Sequence, residues 1–176
     1  TAGDKMLWDA SDKKLVITGT DGANALEVAD GDVEITDALT VTGTSALNVT
    51  GFSDSVVSRA QMKDYAETVY AGGNSGTSQT LALTNGNVQT WTMNGNCTFT
   101  MPSGSTLQAG SSFTLILTQD GTGSRTGTFT GVKWAGGTAP TLTTTATSGI
   151  DILTFTTFNG GAAPVWHGFL AGAAMA

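Results

Sequence analysis

Residues that commonly build catalytic and metal centres are scarce in this chain. It contains one cysteine, Cys97, and one histidine, His167, in 176 residues. One cysteine forms no intramolecular disulfide, and one Cys with one His supplies too few ligands for tetrahedral zinc. A nucleophilic triad or dyad would depend on His167, and no GxSxG motif accompanies it. The segments 30–32 and 120–123 lack the carboxylates of an EF-hand loop and are predicted to be turns. The sequence predicts no catalytic residue, no metal site and no cofactor.

Charged residues and long apolar runs are also few. Charged residues form 12% of the chain, and the net charge is -7. An acidic chain without a basic patch repels phosphate backbones, so nucleic acid is excluded as a partner. No apolar run approaches the ~20 residues of a membrane span, so no membrane insertion is predicted. Ten of the fourteen carboxylates lie within residues 1–54, which predicts an acidic, solvated surface for the front third.

A short repeat occupies the first fifty residues. Pairs of aliphatic residues separated by one position recur, which places both members of a pair on one face of a strand. The pairs are Leu15 and Ile17, Leu26 and Val28, Val33 and Ile35, Leu39 and Val41, and Leu47 and Val49. Three of them are followed by Thr-Gly, a turn signal. After the first gap the spacing is too short for a strand plus a helix, and it suits one strand per rung of a β-fibre.

One copy of this repeat buries too little apolar surface to fold by itself. Two aliphatic side chains per rung do not offset the ~1 to 2 kcal/mol of conformational entropy lost by each ordered residue. Three chains wrapped around a common axis would share one core and leave no strand edge free. The repeat therefore predicts an intertwined homotrimeric β-helical shaft, with a flat meander packed on the rest of the chain as the alternative.

Four segments are predicted along the chain. Residues 1–14 form an N-terminal anchor segment, in which Leu7 and Trp8 are the candidate anchor side chains. Residues 15–52 form the shaft, residues 53–76 a helical collar and linker, and residues 77–176 a head domain.

The collar is predicted because the spacing of apolar residues changes from that of a strand to that of a helix. Ser58 and Gln61 match a capping box, and Met62, Tyr65 and Val69 then fall on one helical face. Three such helices could meet on the trimer axis, or each could pack on its own β-domain. The glycines at 72–76 predict a flexible connection to the head.

The head is predicted to be a β-sandwich, resembling a jelly roll. Apolar and polar residues alternate again in this part of the chain, which predicts seven strands. The expected strands are 79–84, 87–93, 96–101, 111–118, 125–130, 150–158 and 164–170. Asn85-Gly86 and Asn94-Gly95 between them are typical hairpin turns. Overall, the fold class expected is mainly β with one short helix.

Several separate runs in this part of the chain resemble a module found in tailed-bacteriophage tail fibres and capsid-decorating proteins. The runs are Ser58–Glu67, Leu83–Val88, Phe113–Gly123, Val132–Leu142 and Ile150–Phe155. The resemblance covers roughly residues 55–170 and implies a trimeric, non-enzymatic protein on the outer surface of a virion. The first fifty residues resemble phage fibre shafts more loosely.

Two functions remain open at this point. A capsid-decorating, or cement, protein would place its trimer on the head lattice, where the partner is the major capsid protein or another virion protein. A short tail fibre would instead recognise a host surface glycan or receptor. Length favours decoration, because 176 residues leave little room for an adaptor, a long shaft and a tip. A glycan-degrading tailspike would need a carboxylate pair, and the head offers only Asp120 and Asp151.

Overall fold

The computed structural model describes residues 5–11, 14–18, 61, 63–147 and 149–175. The chain divides into two units, Thr1–Ser58 and Arg59–Ala176. The strands of the first unit are β1 (Lys5–Asp9) and β2 (Lys14–Thr18). Those of the second are β3 (Val69–Asn74), β4 (Ser78–Thr80), β5 (Val88–Met93), β6 (Cys97–Thr100), β7 (Ser112–Gln119), β8 (Gly127–Thr130), β9 (Val132–Trp134), β10 (Ile150–Thr157) and β11 (Trp166–Gly172). A 3-10 turn at Ala135–Gly137 is the one helical element of the described residues.

The described part of the first unit is an antiparallel hairpin. Strand β1 pairs with β2, so that Trp8 lies opposite Leu15 and Met6 opposite Ile17. The expected anchor segment and the first repeat strand are therefore one element, because the polar residues between them favour a turn. Leu15 is 51% exposed, and Ile17 is partly exposed. The later repeat pairs, from Leu26 to Val49, lie outside the described residues.

The second unit contains two sheets that the chain visits alternately. The larger sheet has six strands in the order β3-β5-β7-β10-β11-β9, and the smaller has three in the order β4-β6-β8. The strands β3, β5 and β7 run parallel to one another, as do β4, β6 and β8. Residues 69–130 therefore form three stacked rungs, each with one strand per sheet, which is the connectivity of a short β-helix.

Successive rungs place equivalent residues in columns. In the smaller sheet Gln79, Phe99 and Phe129 are aligned across the three strands. Their neighbours form two outer columns, one of Ser78, Thr98 and Thr128 and one of Thr80, Thr100 and Thr130. Adjacent strands lie about 4.8 Å apart, so each column is a ladder of stacked side chains.

The third rung is extended by antiparallel strands. Strand β10 pairs antiparallel with both β7 and β11, and the short β9 runs parallel to β11. Both β7 and β10 alternate buried with partly exposed residues along most of their length. This alternation follows from strand geometry, since successive side chains point to opposite faces of the sheet.

The core lies between the two sheets. Its buried apolar side chains are Leu81, Trp91, Met93, Cys97, Phe99, Met101, Phe113, Leu115, Leu117, Phe129, Leu142, Leu153, Phe155 and Trp166. Phe129 of the smaller sheet stacks on Phe99 at 5.4 Å between ring centroids and lies 5.9 Å from Phe155 of the larger sheet. Aromatic contacts of this kind contribute about 0.5–1.5 kcal/mol beyond burial, and the contact between Phe129 and Phe155 joins the two sheets directly.

The expectation of a mainly β protein is confirmed, and the strand connectivity is not the expected one. All seven expected head strands have an observed counterpart, although β3 and β9 were missed. Hairpin pairing at Asn85-Gly86 and Asn94-Gly95 is wrong, because the first turn lies between β4 of the smaller sheet and β5 of the larger one, and the second joins β5 to β6 of the smaller sheet. Turn-forming residues mark where a strand ends, and they do not decide which strand it pairs with.

The helical collar is also corrected. Residues 63–68 have no regular secondary structure, and Val69 begins β3. The predicted linker glycines Gly72 and Gly73 are part of that strand, whose neighbour is β5. Parallel pairing with β5 satisfies the backbone of β3, whereas a helix there would leave the first rung incomplete. The larger sheet therefore starts at Val69 and not after residue 77.

Candidate functional surfaces

The residues singled out in the sequence are distributed as follows. Tyr65 lies in irregular chain and is 68% exposed. Val69 begins strand β3 and is 61% exposed. Met62 lies outside the described residues. Leu7 and Trp8 are neighbours in β1, where they pair with Val16 and Leu15 of β2.

Asp120 holds the turn between the third rung's two strands. Its Oδ1 accepts hydrogen bonds from the amides of Thr122 and Gly123 at 3.0 and 2.9 Å. Its Oδ2 forms an ion pair with Arg125 at 2.8 Å. The hydrogen bond from Arg125 lowers the pKa of Asp120, with smaller contributions from the two turn amides. The carboxylate therefore stays ionised and serves the turn.

Asp151 is buried in the core layer of β10 and also has structural partners. It accepts hydrogen bonds from the amide and the hydroxyl of Thr143, each at 2.6 Å, and from the Ala174 amide at 3.3 Å. Only 1% of its surface is exposed. These bonds fasten the loop before β10 and the C-terminal residues to the sheet, so this carboxylate also lacks an open approach for a substrate.

His167 and Cys97 lie on other strands, β11 and β6. His167 lies on β11, with its ring 4.9 Å from that of Phe158, and its buried Nδ1 has no hydrogen-bond partner. Burial raises the pKa of the Cys97 thiol, which faces the Ser75 carbonyl at 3.8 Å. A raised pKa keeps the thiol protonated and poorly nucleophilic. Within the described residues, no group of three or more His, Cys, Asp or Glu side chains is placed to hold a metal ion.

A groove lies on the side of the second unit where the chain passes from the smaller sheet to the larger one. Its volume is about 410 Å³, and it lies between the β4–β5 and β6–β7 connections. Leu81 and Met101 supply apolar surface, whereas Thr84, Ser103 and Gln108 supply polar groups. Such a mixed lining can accept hydrogen bonds from, and donate them to, a neutral polar ligand.

The two sheets present contrasting outer faces. The smaller sheet exposes the Ser and Thr columns described above, all of which carry hydroxyls. The larger sheet exposes a mixture of aliphatic residues, threonines and one strongly exposed aromatic, Phe169, at 54%. Phe158, just beyond β10, is 71% exposed and contacts His167 of the same face. Sequence periodicity identified the strands but not the difference between the two outer faces. That difference depends on which strands share a sheet.

Comparison with protein-family models, curated proteins and solved structures finds no match for this chain. None of the helical structure in the described residues is long and apolar enough to cross a membrane.

Proposed function

We propose that this chain is a structural component of a bacteriophage virion, in which it acts as a trimeric capsid-decorating protein. The observation that carries the proposal is that the carboxylates of the two sheets and their connections have structural bonding partners. The two carboxylates within residues 69–175, Asp120 and Asp151, are both bound by backbone amides and neighbouring side chains. This arrangement supports a scaffold, and it opposes a reaction that needs a free acid and base.

The β-helical connectivity of the second unit supports the same proposal. Each rung rests on the previous one, so a rigid body is obtained from short strands rich in threonine and glycine. The resemblance of the sequence to phage fibre and decoration modules points in the same direction. In this proposal the aliphatic repeat of residues 15–52 forms the shaft of the trimer, and the β-sandwich-like body formed by the two sheets is the head.

Copy number in purified particles tests the proposal. Quantitative mass spectrometry of the phage that encodes the chain is expected to give hundreds of copies per particle, matched to the threefold positions of the shell. Antibodies against the chain should label the head of the particle. Absence of the chain from purified particles would contradict a virion role.

A tail fibre that binds a host glycan is the second candidate, and the groove beside Leu81 and Met101 favours it. Sugars present hydroxyls, which match the Thr84, Ser103 and Gln108 side chains of its lining. A few trimers per particle, with antibody labelling at the tail, would select this candidate. Replacement of Gln108 by Ala should then reduce binding to host cells without changing the fold, because Gln108 is exposed.

A further inference from the structure

The groove beside Leu81 continues into a second cavity. This second cavity has a volume of about 300 Å³, and Glu67 and Asn87 are among the residues that line it. Leu83 and Thr84 line both cavities, so the two adjoin each other along the β4–β5 connection. The volume of each lies within the range of about 300–1,000 Å³ that is usual for ligand sites. The two cavities together form one cleft.

The walls of the cleft are held in place by internal hydrogen bonds. Gln89, which is fully buried, donates from its Nε2 to the carbonyls of Ala82 and Gly86 at 2.9 and 3.1 Å. These bonds fix the β4–β5 connection, which is one wall. In the other wall, the β6–β7 connection, the carbonyl of Leu107 accepts a hydrogen bond from the amide of Gly161 at 2.7 Å. A ligand therefore meets a cleft that is already formed, and it need not order these loops on binding.

Exposed polar side chains around the cleft are available to a ligand. Thr84, Ser103 and Thr106 supply hydroxyls, and Gln108 and Asn87 supply carboxamides. No hydrogen bond joins any of these side chains to another group in the part of the protein that the structure describes. Hydroxyls and carboxamides both donate and accept hydrogen bonds, so they match a ligand whose own polar groups do both.

Apolar surface lies between these polar groups. Leu81 and Met101, which are buried, and Leu107, which is partly exposed, line the first cavity. A matching ligand therefore offers C–H surface as well as closely spaced hydroxyls, and a sugar ring offers both. An extended peptide fits less well, because neither wall is a strand and a peptide that binds by β-augmentation needs a free strand edge.

Charge restricts the class of sugar. Glu67 is the one ionisable side chain among the described residues that line the two cavities. A phosphate, sulfate or carboxylate group of a ligand would find no cationic partner among them and would be repelled by Glu67. The hydrogen-bonding groups therefore indicate a sugar, and the charge excludes an acidic one.

We infer that the cleft binds a neutral oligosaccharide that spans both cavities, and that Glu67 selects against acidic sugars. The inference rests on the second candidate function, the glycan-binding one. It adds the second cavity, the class of glycan and the residue that sets the selectivity.

A microarray that carries neutral and uronic-acid-bearing oligosaccharides of matched length, probed with the purified full chain, tests the class of ligand. Calorimetric titration with the neutral oligosaccharide that binds best then tests the site. Gln108→Ala in the first cavity and Asn87→Ala in the second should each raise the Kd by ~3- to 10-fold, the effect of one lost hydrogen bond. Asn74→Ala is the control, because Asn74 is an exposed carboxamide on β3 that lines neither cavity, and its Kd should equal that of the wild type.

A further variant tests the selectivity. Glu67→Gln removes the negative charge and keeps the shape, so it should bind the uronic-acid-bearing oligosaccharides that the wild type rejects, with its affinity for the neutral one retained. Near-ultraviolet circular dichroism of the buried Trp91 and Trp166 reports whether each variant is folded.

The outcomes separate this inference from the proposed virion role. Neutral-glycan binding that is weakened by Gln108→Ala and Asn87→Ala, but not by Asn74→Ala, supports the inference. Binding that the two cleft variants leave unchanged, binding to acidic oligosaccharides alone, or no binding at millimolar concentration overturns it. The virion role is judged by copy number in particles, so a chain that binds the neutral glycan but is absent from particles would contradict that role and leave this inference standing.

Discussion

Asp120 and Asp151 show how single polar residues fix the loops of this fold. Both are acceptors for backbone amides, but Asp120 lies at a partly exposed turn and Asp151 lies in the core. Sequence analysis recognised Asp120-Gly121 as a turn from its residue types. It could not identify the role of Asp151, because the bonded partner Thr143 is brought to it by the packing of an irregular loop.

Replacement of Asp151 should destabilise the fold. Asp151→Ala leaves the partly buried amide and hydroxyl of Thr143 without their acceptor, and an unsatisfied group costs about 1–3 kcal/mol when it is buried. Urea denaturation followed by tryptophan fluorescence measures the change. Ser105→Ala, at an exposed position in the β6–β7 connection, is the control and should change stability by less than about 0.5 kcal/mol. Equal stabilities for the two variants would disprove the structural role of Asp151.

Asp120 should make the stability of the protein depend on acid pH. Its pKa is lowered in the folded state, so its charged form stabilises the fold above the ordinary carboxyl pKa. That contribution is lost as the pH falls through the lowered pKa. Asp120→Asn retains an acceptor for the turn amides but cannot ionise. Its denaturation midpoint should therefore decline less than that of the wild type between pH 5 and pH 2, roughly the range in which carboxylates titrate. Parallel declines for wild type and variant would count against the ion pair.

At the scale of elements, strand positions were predictable and strand partners were not. The alternation in Phe113–Leu117 and Leu153–Phe155 identifies a strand and its buried face from the sequence alone. The pairing of β5 with β3 and β7 is non-local, and Asn94-Gly95 at its end is compatible with either a hairpin or a change of sheet. The helical pattern around Tyr65 failed because sheet pairing from Val69 onward outweighs a short amphipathic period.

The close packing of β11 on β9 should make Gly168 intolerant of a side chain. A Cβ atom at this position would lie 2.6 Å from the Trp134 ring, closer than a van der Waals contact permits. Gly168→Ala should lower the free energy of unfolding by about 1–3 kcal/mol, the usual cost of overpacking. Gly121→Ala has open space around it and serves as the matched control. Thermal denaturation of both variants measures the difference, and equal melting temperatures would show that β9 does not pack as described.

At the scale of the whole molecule, the first 14 residues are proposed to anchor the trimer to the capsid. Deleting residues 1–18, which comprise the whole β1–β2 hairpin, removes Leu7 and Trp8 without leaving β2 unpaired, and large apolar side chains of this kind often dominate an interface. The truncated chain should still form a trimer but should no longer bind particles that lack the protein. Co-sedimentation with such particles measures binding, with the full chain as the control. Undiminished binding by the truncated chain would show that the anchor lies outside the deleted residues.

The aliphatic repeat is proposed to hold the three chains together. Val41→Asp would place a carboxylate from each chain on a shared dry axis, where an unpaired charge costs several kcal/mol. The variant should therefore be monomeric. Thr42→Asp, one position along the same segment, should keep the trimer, because alternation in the proposed strand would turn it outward. Size-exclusion chromatography with light scattering separates the two results. Identical masses for the two variants would contradict a shared core.

The native mass of the full wild-type chain tests the proposed trimer most directly. Analytical ultracentrifugation at micromolar concentration is expected to give a single species of three times the chain mass of 17.8 kDa. A single species of 17.8 kDa, unchanged as the concentration is raised, would contradict the trimer on which the proposed shaft depends.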